Sequence, residues 1–516
     1  MGAGGERLDG DGGGVAAVAH LNRRKFLERS GKAAAVAALA VQPAWLSACG
    51  SSSHAGATRA DWNKLAKMLR GRLLMPGEAG YSTSALPYNK VYASVRPQGI
   101  ALCADAADAR SALLWAEQTG ETFTVMSGSH SYAGYSTCRG LVIDMTNLNT
   151  VSFDRSDDQV TIGVGVRNHQ LFSTLPALRV GLPHGRCPHT GVGGFVLGGG
   201  FGFTSRTMGM LCDTLVRTEM ITASGEMLTC DARQNPDLYW ACRGGAGGSF
   251  GINTSYTLQT HPLPDKVSVY EMTWPWSQAA PALTALQAMM LKAPDEFGCR
   301  IGLGATGLAH KTFVANTLGE YVGPVGQLRE LLAPVIASTK PATVTIKEVP
   351  IAGAVKFLAA DVPYDQFAAK SSYAVDAFSG AAVSTLLDQL QRIPGSSNSG
   401  GTGIAIFCLG GAVNRVPADA TAYVHRDARF LINYEITWEA SDSPSVVAAQ
   451  EAWMQSIHRS LQPFVLPQSY QNWPDRTLEE WRSAYYGSNL KRLTEVKAKH
   501  DPHDHFTYQQ SVPLSV

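Results

Sequence analysis

Little in this sequence points to a charged partner. Its 43 basic and 42 acidic residues leave a formal charge of +1. No block of like charges stands out, so the electrostatic footprint of a nucleic-acid binder is missing. Beyond the first fifty residues no apolar run approaches the about 18 residues that a membrane span needs. Nine cysteines are present, but none lies in a Cys-x-x-Cys pair. No His and Cys cluster has metal-ligand spacing either, so no metal is expected. What is abundant is glycine, at 52 residues. It gathers in short runs inside apolar segments, the pattern of backbone brought close to something. With 516 residues and 45% hydrophobic content, the chain has material for two domains.

Residues 1–49 read as a leader. Arg23-Arg24-Lys25-Phe26-Leu27 precedes an Ala-rich stretch from Gly31 to Ala44, and Leu46-Ser47-Ala48-Cys49 follows. A charged segment, a short apolar core and small residues before a cut site make a signal peptide. The paired arginines resemble a twin-arginine export signal, a route that moves proteins already folded and so suits a chain that must take up a cofactor first. Leu-Ser-Ala-Cys resembles a bacterial lipobox, with Cys49 acylated as the mature N-terminus; the alternative is a plain cleaved leader with an incidental cysteine. On the first reading Cys49 anchors the protein to a membrane, facing the periplasm or the cell exterior. Residues 50–84 would be a tether and lead-in.

The chemistry is carried further on. Ala104 to Ala116 has helical spacing closed by Gly120, and Phe123-Thr124-Val125-Met126 is a short β-prone run. That run leads into Ser127-Gly128-Ser129-His130-Ser131-Tyr132, a small-residue loop whose N–H groups suit a pyrophosphate. A second cluster, Gly185-Arg186-Cys187-Pro188-His189-Thr190-Gly191-Val192-Gly193-Gly194, runs on to Gly198-Gly199-Gly200. A third ends in Gly247-Gly248-Ser249-Phe250-Gly251. Neither glycine run has an acidic residue about 20 positions on within a clear βαβ unit, which excludes a Rossmann fingerprint. The runs suit a loop-rich groove against a flat, phosphate-bearing cofactor.

Together these motifs resemble the berberine bridge enzyme-like FAD-linked oxidases of the vanillyl-alcohol oxidase flavoprotein fold. The resemblance extends from about residue 85 to the C-terminus. It implies an α+β fold: a PCMH-type, two-subdomain FAD-binding domain at 85–262 and an antiparallel-sheet substrate domain backed by helices at 263–462. The segment 463–516, with Tyr470-Gln471-Asn472 and Lys497 to Pro502, would return to the FAD domain. By the same resemblance His130 bonds the flavin 8α carbon and Cys187 bonds flavin C6, so that FAD is held covalently twice. Ser127, Gly128, Ser129, Ser131, Thr190, Gly191, Gly193, Gly194, Gly198, Gly251 and Asn472 complete the expected cofactor-binding set. Four positions depart from the family pattern: Ser129 stands where Gly is usual, Phe195 where His is common, Phe407 where an acidic residue is frequent, and Trp473 in place of a second tyrosine.

The clearest strand of the other half is Phe430 to Glu439, which alternates Phe430, Ile432, Tyr434, Ile436 and Trp438 against Leu431, Asn433, Glu435, Thr437 and Glu439. If the apolar set meets helices, Asn433 and Glu435 face the substrate. Oxidation of a small alcohol or sugar-like molecule by hydride transfer to FAD needs a base for the hydroxyl proton. Tyr470 is the first candidate and Glu435 the second; both could instead only shape the cavity. An unperturbed tyrosine, with pKa about 10, would need a shifted environment. Thr190, three residues after Cys187, replaces the valine that the family associates with oxidases, which suggests oxygen rather than another acceptor takes the electrons. A dehydrogenase, a natural-product tailoring enzyme and a non-catalytic ligand-binding lipoprotein are the competing readings. With Cys49 and Cys187 assigned, seven cysteines remain, and the sequence assigns no disulfide.

Overall fold

The computed structural model describes residues 56–360 and 365–516. Arg23, Arg24 and Cys49 lie outside the described residues. Three sheets organise the chain. The first is small and mixed, in the order Arg72–Leu74, Gly99–Leu102, Leu141–Asp144, Phe123–Met126. Its last three strands run parallel. The helix Ala106–Thr119 joins two of them. Asp105 caps it by accepting the Asp108 N–H at 3.0 Å, and Gly120 closes it at φ 67°. The strand Phe123–Met126 then delivers the chain directly into the loop at Ser127.

A second, antiparallel sheet has the order Val151–Asp154, Gln159–Gly163, Ile252–Gln259, Leu215–Ile221, Met227–Asp231. It shares one hydrophobic core with the first: Ala112, Leu113, Ile143, Ile162, Leu171, Val196 and Tyr256 are all buried in it. The C-terminal residues Tyr485, Tyr486, Leu493, Val496, Phe506 and Val512 enter that same core. Their backbone turn is fixed by Lys497, wholly buried, whose ammonium meets Asp501 at 2.6 Å and the Phe506 carbonyl at 2.8 Å. Asp504 adds a second carboxylate at 2.9 Å, and a buried charge is tolerated here because its partners are in place.

The third sheet is seven-stranded and antiparallel throughout, in the order Thr343–Pro350, Lys266–Trp274, Thr312–Tyr321, Phe297–Thr306, Thr402–Cys408, Phe430–Trp438, Gln366–Ala374. Phe430, Ile432, Tyr434, Ile436 and Trp438 pack into a second core with Leu286, Leu332, Leu386 and Ile457 of the covering helices. The expected alternation therefore sets these five residues against helices, and Asn433 and Glu435 on the opposite face. The strand stops one residue short of the predicted Glu439, because the Glu439 N–H turns to the Asp442 carboxylate at 2.9 Å. No helix among the described residues is long and apolar enough to cross a membrane.

Candidate functional site

Two loops from different parts of the chain meet backbone to backbone. A Cβ placed on Gly128 would lie 2.3 Å from the Gly191 nitrogen, and one on Gly191 would lie 2.4 Å from the Gly128 nitrogen. Real side chains cannot fit there, so each glycine is dictated by the other. Ser127 locks the contact from below. Its hydroxyl donates to the Val164 carbonyl at 2.6 Å and sits where a Cβ on Gly193 would fall. The Gly193 carbonyl accepts from the Tyr256 hydroxyl at 2.8 Å. Gly194 is exposed, with open space around its Cβ position. This brings the Ser127–Ser131 and Cys187–Gly194 segments together in one groove.

His130 lies in that groove with its Nε2 buried and without a hydrogen-bond partner among the described residues. Its ring stacks on Tyr88 at 3.7 Å and approaches Tyr132 at 5.9 Å. Burial holds its pKa down at about 3, so the ring is neutral at any working pH. Ser129, just before it, adopts φ 60°, the left-handed region that explains why a glycine is usual there. Its carbonyl accepts from Tyr88 N at 3.0 Å and its hydroxyl donates to Leu86 at 3.3 Å, holding the turn. Ser131 accepts the Tyr135 N–H at 3.0 Å through its hydroxyl.

The loop that carries Cys187 is clamped by a residue the sequence did not single out. Asn168 donates its side-chain amide to the Cys187 carbonyl at 3.0 Å and its own N–H to the Thr190 carbonyl at 3.0 Å. Nothing in its local sequence signals this, because its partners arrive from the following loop. Burial pushes the Cys187 thiol up to about 11, with Arg186 and Arg300 opposing that rise and Glu435 adding to it. These charges place Cys187 opposite the seven-stranded sheet. Glu435 and Arg300 lie on its face away from the helices, in rows linked by Arg300 opposite Phe407 and Phe407 opposite Leu431. Glu435 is only partly exposed, and burial pushes its carboxyl up to about 7, with Arg300 pulling the other way.

Tyr470 and Asn472 form a separate unit with Gly198. The Tyr470 hydroxyl accepts from Gly200 N at 2.9 Å and from the Asn472 amide at 3.0 Å. Asn472 also donates to the Phe195 carbonyl at 3.0 Å, and its side chain fills the place of a Cβ on Gly198. Tyr470 is fully buried, and burial pushes its phenol well above the ordinary range. Phe201, Phe407 and Trp473 surround it, with Phe201 5.0 Å from Phe407 and 5.6 Å from Tyr470. The acidic residue expected at 407 in relatives is thus replaced by part of an aromatic wall. Gly251 takes a different part: a Cβ there would meet the Ile221 carbonyl at 2.5 Å, so it serves the packing of the five-stranded sheet. No group of three or more potential metal ligands occurs among the described residues.

The residues present fit a flavin. Two loops held together through their glycines, open space over Gly194, an unpartnered ring nitrogen and a thiol make a cradle for a flat ring bearing a phosphate tail. Comparison with known proteins agrees. The model of the FAD binding domain family matches residues 97–231, and that of the berberine and berberine-like family matches residues 469–513. The uncharacterized FAD-linked oxidoreductase YvdP of Bacillus subtilis is 31% identical over 87% of this chain and 99% of its own length. The xylooligosaccharide oxidase of Thermothelomyces thermophilus is 28% identical over 90% of this chain and 96% of its own. Among solved structures, BBE-like 1 of Physcomitrella patens superposes with a TM-score of 0.79 at 27% identity, covering 88% of this chain and 99% of that one. The α+β architecture is accordingly the PCMH-type FAD-binding fold with its antiparallel-sheet partner. From the matched family models, the relatives and the shared fold, the chain belongs to the berberine bridge enzyme-like FAD-linked oxidoreductases.

Proposed function

We propose that this protein is an exported oxidase that holds FAD covalently through His130 and Cys187 and oxidises a hydroxyl group of a sugar or related alcohol. The observation that carries the reading is the groove itself. The His130 loop and the Cys187 loop meet at Gly128 and Gly191, and the sheet face bearing Glu435 stands opposite. The neutral His130 ring keeps a lone pair on one ring nitrogen for attack, and its Nε2 has no hydrogen-bond partner among the described residues. Cys187 must shed its proton to act: burial and Glu435 oppose that, and the nearby Arg186 and Arg300 charges offset part of the opposition.

FAD bound here supplies the acceptor for a hydride leaving the substrate carbon. The chain supplies the rest. Glu435, with a carboxyl near 7, takes the hydroxyl proton, since a base poised at working pH balances availability against strength. Tyr470 is tied to Gly200 and Asn472 and positions the loop at Gly198. The wall of Phe407, Phe201 and Trp473 keeps water from one flank. Three relatives are by name oxidases of xylo-, chito- and glucooligosaccharides, which supports a sugar here. Thr190, close in shape to valine though polar, supports oxygen as the final acceptor. The twin-arginine leader and Cys49 support export and a lipid anchor.

The test is turnover. Purified holoenzyme is mixed without oxygen with a panel of monosaccharides, oligosaccharides and aromatic alcohols while the visible flavin band is followed. At least one sugar should bleach it within seconds, and admitting air should restore the band and form hydrogen peroxide. Bleaching by aromatic alcohols alone would overturn the sugar assignment, and recovery in air over many minutes would make the enzyme a dehydrogenase.

A further inference from the structure

Two arginines beside Cys187 have no carboxylate partner. Among the described residues neither Arg186 nor Arg300 enters an ion pair. Arg186 has a buried Nε without any hydrogen-bond partner. Arg300 makes one side-chain hydrogen bond, from Nη1 to the Asn316 side-chain oxygen at 3.3 Å. Both guanidinium groups are close enough to Cys187 to act on its thiol, and each lies within reach of the other's field. Gathering like charges under cover is unfavourable unless something anionic completes the set.

The sheet is built to keep Arg300 where it is. A Cβ on Gly302 would lie 2.6 Å from Arg300 Nη1 and 2.5 Å from the Asn316 side-chain oxygen. Only glycine at 302 lets the guanidinium lie across its own strand toward Asn316. The floor between Arg300 and Glu435 is also bare. In register across three strands stand Gly304, Gly403 and Glu435 in one row, and Gly302, Ala405 and Asn433 in the next. Between Arg300, Asn433 and Glu435 this face carries only glycine and alanine, so no bulky side chain stands in those two rows. Glu435, the base of the proposed reaction, lies outside the row that holds Arg300 and makes no ion pair with it. The remaining acidic neighbour, Glu271, acts on Arg186 from an exposed position, where water screens it.

We infer that Arg300 and Arg186 form an anion subsite, and that the substrate is a sugar bearing a carboxylate, of the uronic acid class. The planar, forked guanidinium matches a carboxylate with two parallel hydrogen bonds. A buried group built to receive such a partner discriminates strongly against the analogue lacking it. This inference rests on the reading above that the sheet face is the substrate side. Arg300 is here a specificity residue: it touches the substrate at its carboxylate, and Glu435 serves the reacting hydroxyl.

The experiment compares galacturonic acid, galactose and galactose 6-phosphate as substrates of the purified holoenzyme at pH 6, by oxygen uptake and by anaerobic flavin bleaching. The flavin difference spectrum reports binding in parallel. The expected kcat/KM for galacturonic acid exceeds that for galactose by about ten-fold or more, equal to about 1.4 kcal/mol. In Arg300→Met the ratio, with rates expressed per covalently bound flavin, falls to about one, carried mainly by KM. Equal or better use of galactose by the wild type, or an unchanged ratio in Arg300→Met, overturns the inference and leaves sugar oxidation standing. Preference for the phosphate over the carboxylate also overturns it. Binding of galacturonic acid without turnover of any sugar supports the subsite and removes the sugar-oxidase reading instead. Binding of neither acid nor neutral sugar contradicts the subsite.

Discussion

Replacing Glu435 by Gln separates catalysis from stability in one variant. The carboxyl is pushed from an ordinary 4.5 up to about 7, mainly by burial, against the pull of Arg300. A displacement of that size corresponds to at most about 3 kcal/mol. The sign follows from which state holds the proton more tightly. The folded protein keeps Glu435 protonated up to about 7, whereas the unfolded chain releases the proton near its ordinary value. The contribution is therefore fully present below the unfolded pKa and is lost as pH rises through the folded one. Glutamine has no charge to bury, so Glu435→Gln should match wild type near pH 4 and exceed it at pH 8, by up to about 3 kcal/mol. Denaturant melts at both pH values measure this. In turnover, wild-type kcat/KM should climb with pH to a plateau above about 7, the signature of a base that must be ionised. The variant should lose that limb and about 10²–10⁴ of the rate. A limb near 7 that survives in Glu435→Gln, or a variant less stable than wild type at pH 8, would refute the reasoning.

Three other outcomes follow from particular contacts. Tyr470→Phe strands the buried Gly200 N–H and should cost about 1–3 kcal/mol of stability while leaving the pH profile's inflection in place; loss of that inflection would return the base role to Tyr470. Ser129→Gly relieves a left-handed backbone at φ 60° and should add about 1 kcal/mol to stability by chemical denaturation, with a fall counting against the strain. On the proposed lipid anchor, Cys49→Ala should move the protein from the membrane pellet to the soluble fraction at high salt; continued pelleting would exclude lipid as the anchor.

Periodic and local features were legible in the sequence. The two faces of Phe430–Trp438 follow from alternation alone, and the helix before Phe123 from its Asp105 cap and closing Gly120. The glycine runs announced close backbone approach, and the structure shows what approaches Gly128 and Gly191: each other. Three things were not legible. Arg186 and Arg300 sit in unrelated segments, and only the fold brings the sheet face of the second to the loop of the first. Asn168 looks like any helix-start residue until the Cys187 loop folds back onto it. Gly251, grouped by sequence with the cofactor loops, spends its missing side chain on the Ile221 carbonyl. In the sequence, the Tyr-x-Asn element favours Tyr470 over Glu435 as the base. Burial sets the two apart: it raises both pKa values, bringing the carboxyl to working pH and taking the phenol away from it.

The central claim is that His130 and Cys187 both hold the cofactor. Intact mass of the acid-denatured chain, taken for wild type, His130→Ala, Cys187→Ala and the double variant, tests it most directly. The account predicts one FAD retained on the wild type and on each single variant, and none on the double. Denatured wild-type chain at its unmodified mass, with all the flavin in the supernatant, would contradict it.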